Sequence, residues 1–194
     1  SSNVPENINV CKFENSNIVY LVEEVVLSIV DIAKDKNIEI IFNTEEEEII
    51  TAIDEEKIVR VILILLSNSI KFSKEQGDIR VEMRREDKEV VIKVTDNGIG
   101  INEDMKEKIF DKFKRVQSVS NLNVDHEGSG LGLYIAKGFI ELHNGSISVV
   151  SEVEKGSTFI ITIPIVIIKN DLHNIKHMDE DELNRIIKIE LSDL

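Results

Sequence analysis

A two-layer α/β sandwich, with a mixed and mainly antiparallel sheet covered by helices on one face, is the fold class that this 194-residue chain predicts. Three observations lead to it. Stretches with apolar residues at helical spacing alternate with short β-branched runs. The β runs come in adjacent pairs, which implies hairpins and hence an antiparallel or mixed sheet rather than a doubly wound one. The helical stretches fall between those pairs, so they cover one face.

The elements read in order. Residues 1–16 are polar, carry Pro5 and form an extended lead-in. Across 17–35 a helical stripe runs through Ile18, Leu21, Val22, Val25, Ile29 and Ile32. The runs 38–42 and 49–53 flank Glu45 to Glu48 and predict a hairpin with a solvated acidic tip. Asp54 is placed to cap a helix reaching Phe72, with Ile58, Val61, Ile62, Leu65, Leu66 and Ile70 on its apolar face. Strands at 78–85 and 89–95 are joined by Glu86-Asp87-Lys88, and 103–109 supplies one or two helical turns. The run from Phe110 to Glu127 is polar and without period, as in a functional loop or lid. A helix at 131–142 and strands at 146–151 and 158–168 follow. The domain organisation expected is therefore a lead-in at 1–16, one domain at 17–168 and a C-terminal extension at 169–194. That extension is polar, with a weak amphipathic stretch at Leu183, Ile186, Ile187 and Ile189 that fits either a docking element or disorder.

Composition narrows the function classes. A formal net charge of −14 with no basic stripe argues against a nucleic-acid partner and against direct contact with an anionic membrane. One cysteine, Cys11, permits no internal disulfide and fits a reducing compartment. The four histidines (His126, His143, His173 and His177) lack the spacing and companions of a zinc site. No apolar run has membrane-spanning length and no signal peptide is visible, so the chain reads as a soluble, cytoplasmic, monomeric piece of a longer protein.

The chemistry concentrates in two glycine runs. Asp96-Asn97-Gly98-Ile99-Gly100 ends a strand, and Gly128-Ser129-Gly130-Leu131-Gly132-Leu133 opens a helix. Such glycines allow close backbone approach, and a helix beginning there offers unpaired N–H groups to phosphate. Neither run fits a Walker A loop, and Glu103 and Leu133 occupy the place of the third glycine in the dinucleotide pattern. Asn68 and Lys71 share a helix face; the amide oxygen of the first suits Mg²⁺ and the ammonium of the second suits phosphate. A carboxylate at Asp96 would accept a hydrogen bond from an adenine amine and would repel the guanine carbonyl at the same place.

Leu65-Leu66-Ser67-Asn68-Ser69-Ile70-Lys71-Phe72 resembles the N box of sensor histidine kinases. Asp96 to Ile101 resembles their G1 box, Ile109 to Val116 their F box and Gly128 to Leu133 their G2 box, in family order and spacing across about residues 17–165. The resemblance implies the Bergerat-type ATP-binding fold shared with gyrase, heat-shock and mismatch-repair ATPases, with ATP and Mg²⁺ as cofactors. By matching position, Asn68 would hold Mg²⁺, and Lys71 and Arg115 would meet phosphate as the catalytic charges. Phe72, Asp96, Gly98, Ile99, Gly100 and Ile101 would line the adenine side. Phe110 and Phe113 would hinge the lid, although core packing explains them equally well. Gly128, Ser129, Gly130, Leu131, Gly132 and Leu133 would wrap the phosphates, and Thr158 would support the adenine pocket through water.

Two departures bear on activity. Ile64 stands where histidine kinases carry an Asn and related ATPases a general-base Glu, and it cannot polarise water. No His-Glu-x-x-Arg/Lys-Thr-Pro phosphoacceptor string occurs. The resemblance therefore implies a catalytic ATP-binding domain that transfers phosphate to a histidine on a separate dimerisation domain, with a response regulator downstream; imidazole, itself a nucleophile, needs no activated water. The alternatives are a degenerate nucleotide-binding switch module and a clamp-type ATPase of the wider superfamily.

Overall fold

Two capped helices set the frame of this computed structural model, which describes residues 10–112, 130–192 and 194. Asn17 caps α1 (Ile18–Asp35), its side-chain oxygen accepting Val19 N–H at 3.2 Å and Tyr20 N–H at 3.4 Å. Asp54 caps α2 (Glu55–Phe72) by accepting Lys57 N–H at 3.2 Å, as the sequence predicts. Nearly every residue from Ile58 to Leu66 on α2 is buried, so this helix is central rather than merely amphipathic.

The sheet contains β2 (Glu39–Thr44), β4 (Asp78–Glu86), β5 (Glu89–Asp96), β6 (Ser146–Glu152) and β7 (Gly156–Pro164), in the order β2-β4-β5-β7-β6. The β2–β4 pair is parallel and the other three pairs are antiparallel. Ile79, Val81 and Met83 are buried while Arg80, Glu82 and Arg84 face out, the alternation of a sheet covered on one side. Phe139 and Ile140 of α4 (Gly132–Leu142) bury against the same core. Before it, α3 (Glu103–Lys106) and a 3-10 turn at Lys108–Phe110 supply the expected short helical piece.

The structure corrects three readings. Runs 38–42 and 49–53 do not form a hairpin. Strand β2 joins β4 in parallel, with the chain crossing over through α2, while β3 (Ile50–Ile53) pairs antiparallel with β1 (Glu14–Asn17). Thr44 Oγ1 takes the Glu46 N–H at 3.0 Å and turns the acidic run away from β2. The lead-in thus ends in a strand. The last strand begins at Gly156 and stops at Pro164; beyond it Val166 bonds β3, its carbonyl accepting Ala52 N–H at 2.6 Å.

The segment after β7 is ordered and clasps the β1–β3 ribbon. Asn15 is wholly buried, accepting Ile168 N–H at 2.9 Å and donating to the carbonyls of Ile168 and Asp171 at 3.0 and 3.3 Å. Thr51 Oγ1 makes a similar set of bonds with Pro164 and Val166. Lys176 then bridges Ser16, and α5 (Glu180–Glu190), capped by Asp179, buries Leu183 and Ile186 against α2. Arg60 on α2 pairs with Glu190 at 2.5 Å.

Candidate functional site

The C-terminal half of α2 gathers the candidate residues. Ile64 lies directly under Gly132, where an added Cβ would sit 3.2 Å from Ile64 Cγ2. One turn on is half-buried Asn68, and Lys71 follows on the same face. Position 64 is therefore an apolar floor packed by the start of α4, with no polar group to orient water. Among the described residues, the first N–H groups of α4 have no side-chain cap, and its first turn carries no acid.

Asp96 ends β5 beside the last turn of α2 and is 7% exposed. Its Oδ1 accepts Gly98 N–H at 2.9 Å, and its Oδ2 accepts the Ser69 hydroxyl at 3.3 Å. Burial pushes this carboxyl above the usual range; the N–H groups of Gly98 and Ser157 and the Ser69 hydroxyl pull it back only in part. A desolvated acceptor held in this way suits recognition of a donor.

The glycines of this loop make their close approach to the protein's own backbone. A Cβ on Gly98 would lie 2.1 Å from Phe72 O, the carbonyl to which Ile99 N–H donates at 3.2 Å, so the loop closes the end of α2. Gly100 has φ +70°, and a Cβ there would fall 2.0 Å from Glu152 O. Ile101 N–H donates to Ser151 Oγ at 2.9 Å and Glu154 N–H to Ile99 O at 2.8 Å, tying the loop to the end of β6.

The remaining candidates divide. Phe110 packs edge-on against Phe159 at 6.2 Å, which is core packing beside the start of the expected lid. Thr158 needs correction: it pairs with Thr95 across β5–β7 and its hydroxyl lies 3.0 Å from that of Thr95, on the sheet face opposite Asp96. The residue beside Asp96 is Ser157, whose hydroxyl meets Ser151 Oγ at 2.8 Å. Sequence reading missed Ser157 and Ser69. The period-2 alternation of β7 would have found the first once its register with β5 was known. Gly130, Leu131 and Leu133 lie at the start of α4; Phe113, Arg115, Gly128 and Ser129 fall outside the described residues.

Residues 53–167 match the profile of the histidine kinase-, DNA gyrase B- and HSP90-like ATPases, and the chain belongs to that family. Over 136 residues it is 35% identical to the sensor histidine kinase WalK of Bacillus subtilis, covering 69% of this chain and 22% of WalK. It is also 35% identical over 153 residues to histidine kinase P4 of Formosa agariphila, covering 77% of this chain and 11% of P4. The chain thus spans less than a quarter of either relative. The catalytic domain of histidine kinase ThkA superposes with a TM-score of 0.70 at 29% identity, covering 80% of this chain and 97% of that one. Full-length ShkA in complex with AMPPNP also gives 0.70, at 25% identity, covering 81% of this chain and 32% of ShkA. The fold is that of a histidine kinase catalytic domain, and within the family the chain is the ATP-binding catalytic part. No described helix is long and apolar enough to cross a membrane.

Proposed function

We propose that this chain binds Mg·ATP and presents the γ-phosphate to a histidine on a dimerisation domain of its parent, in the cytoplasm, with a response regulator taking the phosphate onward. The observation that carries the reading is Asp96: a buried carboxylate on the covered face of the sheet, beside the motif-bearing end of α2. Asp96 accepts the adenine amine, with Ser157 and Ser69 around it. Asn68 holds Mg²⁺, Lys71 and Arg115 neutralise phosphate charge, and the N–H groups opening α4 face the phosphates. A bound Mg²⁺ supplies charge neutralisation for the transferring group. The chain's own contribution is orientation and preorganised charge, which together account for most of the catalysis in phosphoryl transfer. Ile64 packs against Gly132 where a general base would act, which favours transfer to imidazole over hydrolysis. We also take residues 17–168 as the nucleotide-binding unit, with 169–194 as an appended clasp.

The test mixes the chain with the dimerisation helices of its parent and ATP labelled at the γ-phosphate. Acid-labile, base-stable label on the helices is the expected result, with little steady ATP turnover by the chain alone. Tight ATP binding with no transfer would instead support the degenerate switch, which Ile64 keeps in play.

A further inference from the structure

Ser69 sits in the interior of α2 and is 1% exposed. Buried hydroxyls carry a desolvation cost unless they are bonded, and a serine inside a helix usually returns its hydroxyl to a carbonyl of the preceding turn. Here the hydroxyl crosses to β5 and donates to Asp96 Oδ2 at 3.3 Å. Two hydrogen bonds reach the Asp96 carboxylate, Ser69 O–H from α2 on Oδ2 and Gly98 N–H from its own turn on Oδ1, while Ser157 pairs with Asp96 from β7. Asn97 turns away, donating to Asp78 Oδ1 at 3.3 Å. An ionised carboxylate has about four lone-pair sites. With one bonded donor on each oxygen, the carboxylate keeps acceptor capacity that a ligand amino group would fill.

We propose that Ser69 is a positioning residue of the nucleotide site: its hydroxyl fixes Asp96 Oδ2, orienting the carboxylate toward an incoming amino N–H and setting the preference for adenine over guanine. The proposal rests on the ATP reading above. Ser69 itself does not touch the base. It acts by holding the rotamer of Asp96 and by favouring the ionised form in a desolvated place, where that form is otherwise disfavoured. Loss of the hydroxyl therefore leaves the pocket intact in shape but with a carboxyl free to rotate and easier to protonate.

The experiment compares wild type, S69A and S69T. The carboxyl carbon of Asp96 is titrated by NMR without nucleotide, and ATP and GTP binding are measured by calorimetry at pH 7. In S69A the Asp96 midpoint should move upward, ATP binding should weaken about tenfold and the ATP-over-GTP preference should narrow. S69T, which restores a hydroxyl, should return the midpoint and the preference toward wild type. An Asp96 midpoint unmoved in S69A overturns the proposal, as does equal weakening of ATP and GTP, which a merely structural role would produce. Failure of the wild-type chain to bind ATP, with the Asp96 midpoint still moved by S69A, overturns the nucleotide reading instead, so the two failures are distinct.

Discussion

Asp54 and Asp96, the carboxylates at the two ends of α2, are held in opposite ways. At the N-terminal end the capping carboxylate is fully engaged, although its neighbour Glu55 is buried with its carboxyl pushed up and Oε2 unbonded among the described residues. Asp54 accepts Lys12 N–H at 2.9 Å and Lys57 N–H at 3.2 Å, and its own N–H donates to His143 Nε2 at 3.0 Å. His143 Nδ1 in turn reaches Phe139 O at 2.7 Å, which fixes a neutral ring with Nδ1 protonated and ties the end of α4 to the start of α2. Burial would raise the Asp54 carboxyl, but its bonds with Lys12 and Lys57 outweigh this and hold it below its usual range. At the C-terminal end the buried carboxyl is pushed up instead, and its donors do not compensate in full. One end of the helix is an anchor. Asp96, beside the other end, is a carboxyl whose ionised form burial disfavours.

Breaking the contrast at the binding end should have the largest effect. Asp96→Asn should weaken ATP binding about a hundredfold, as loss of a charge-assisted bond and a matched acceptor implies. It should not lower the melting temperature. The sign follows from the raised carboxyl: its stability contribution is full below the ordinary carboxylate range and is lost as pH rises through the raised folded value, so at neutral pH the charge costs stability. Calorimetry and thermal melts on the same samples check both halves. A melting temperature that falls sharply would make Asp96 an anchor like Asp54.

Next in size, Gly100→Ala should destabilise the chain by about 3 kcal/mol, since a Cβ would combine strained φ with a collision at Glu152 O. Denaturant midpoints measure it. Asp54→Ala should cost about 1.5 kcal/mol through the lost cap, with ATP affinity at the far end of the helix unchanged. His143 adds a pH signature. Burial lowers its pKa, so its contribution is present above about 6.5 and is lost as pH falls below that. Asp54, being lowered, contributes down to about pH 4, while the raised carboxyls of Asp96 and Glu55 titrate above the ordinary range with the opposite slope, so His143 is read as the difference between wild type and His143→Gln. From about pH 6.5 down to about pH 5, wild type should lose stability relative to His143→Gln. Smallest of all, Arg60→Ala should cost about 0.5 kcal/mol, because its pair with Glu190 lies at the edge of the protein, with the Arg60 side chain 31% exposed.

What the sequence made legible follows from the range of each interaction. The cap at Asp54 and the stripe of α2 are local patterns, and they appear where expected. Pairing partners are not local. The apolar run at 38–42 looks the same whether its partner is the next strand or one beyond a helix, and burial of Ile40 and Phe42 beside Ile79 and Val81 is what decides for β4. Ser157 and Thr158 differ by one residue, and only the β5 register separates them. Asn15 lies in a polar stretch and gives no sign that it is wholly buried. In the extension, the helical stripe through Leu183 and Ile186 is visible in the sequence, but its docking surface on α2 is not.

In the function proposed, Asp96 reads adenine. The most direct test is calorimetric titration of the wild-type chain with ATP and with GTP in the presence of Mg²⁺. Clear ATP binding and much weaker GTP binding are expected, because the guanine carbonyl would face a carboxylate. Equal affinity for the two nucleotides, or binding of neither, would contradict that role for Asp96.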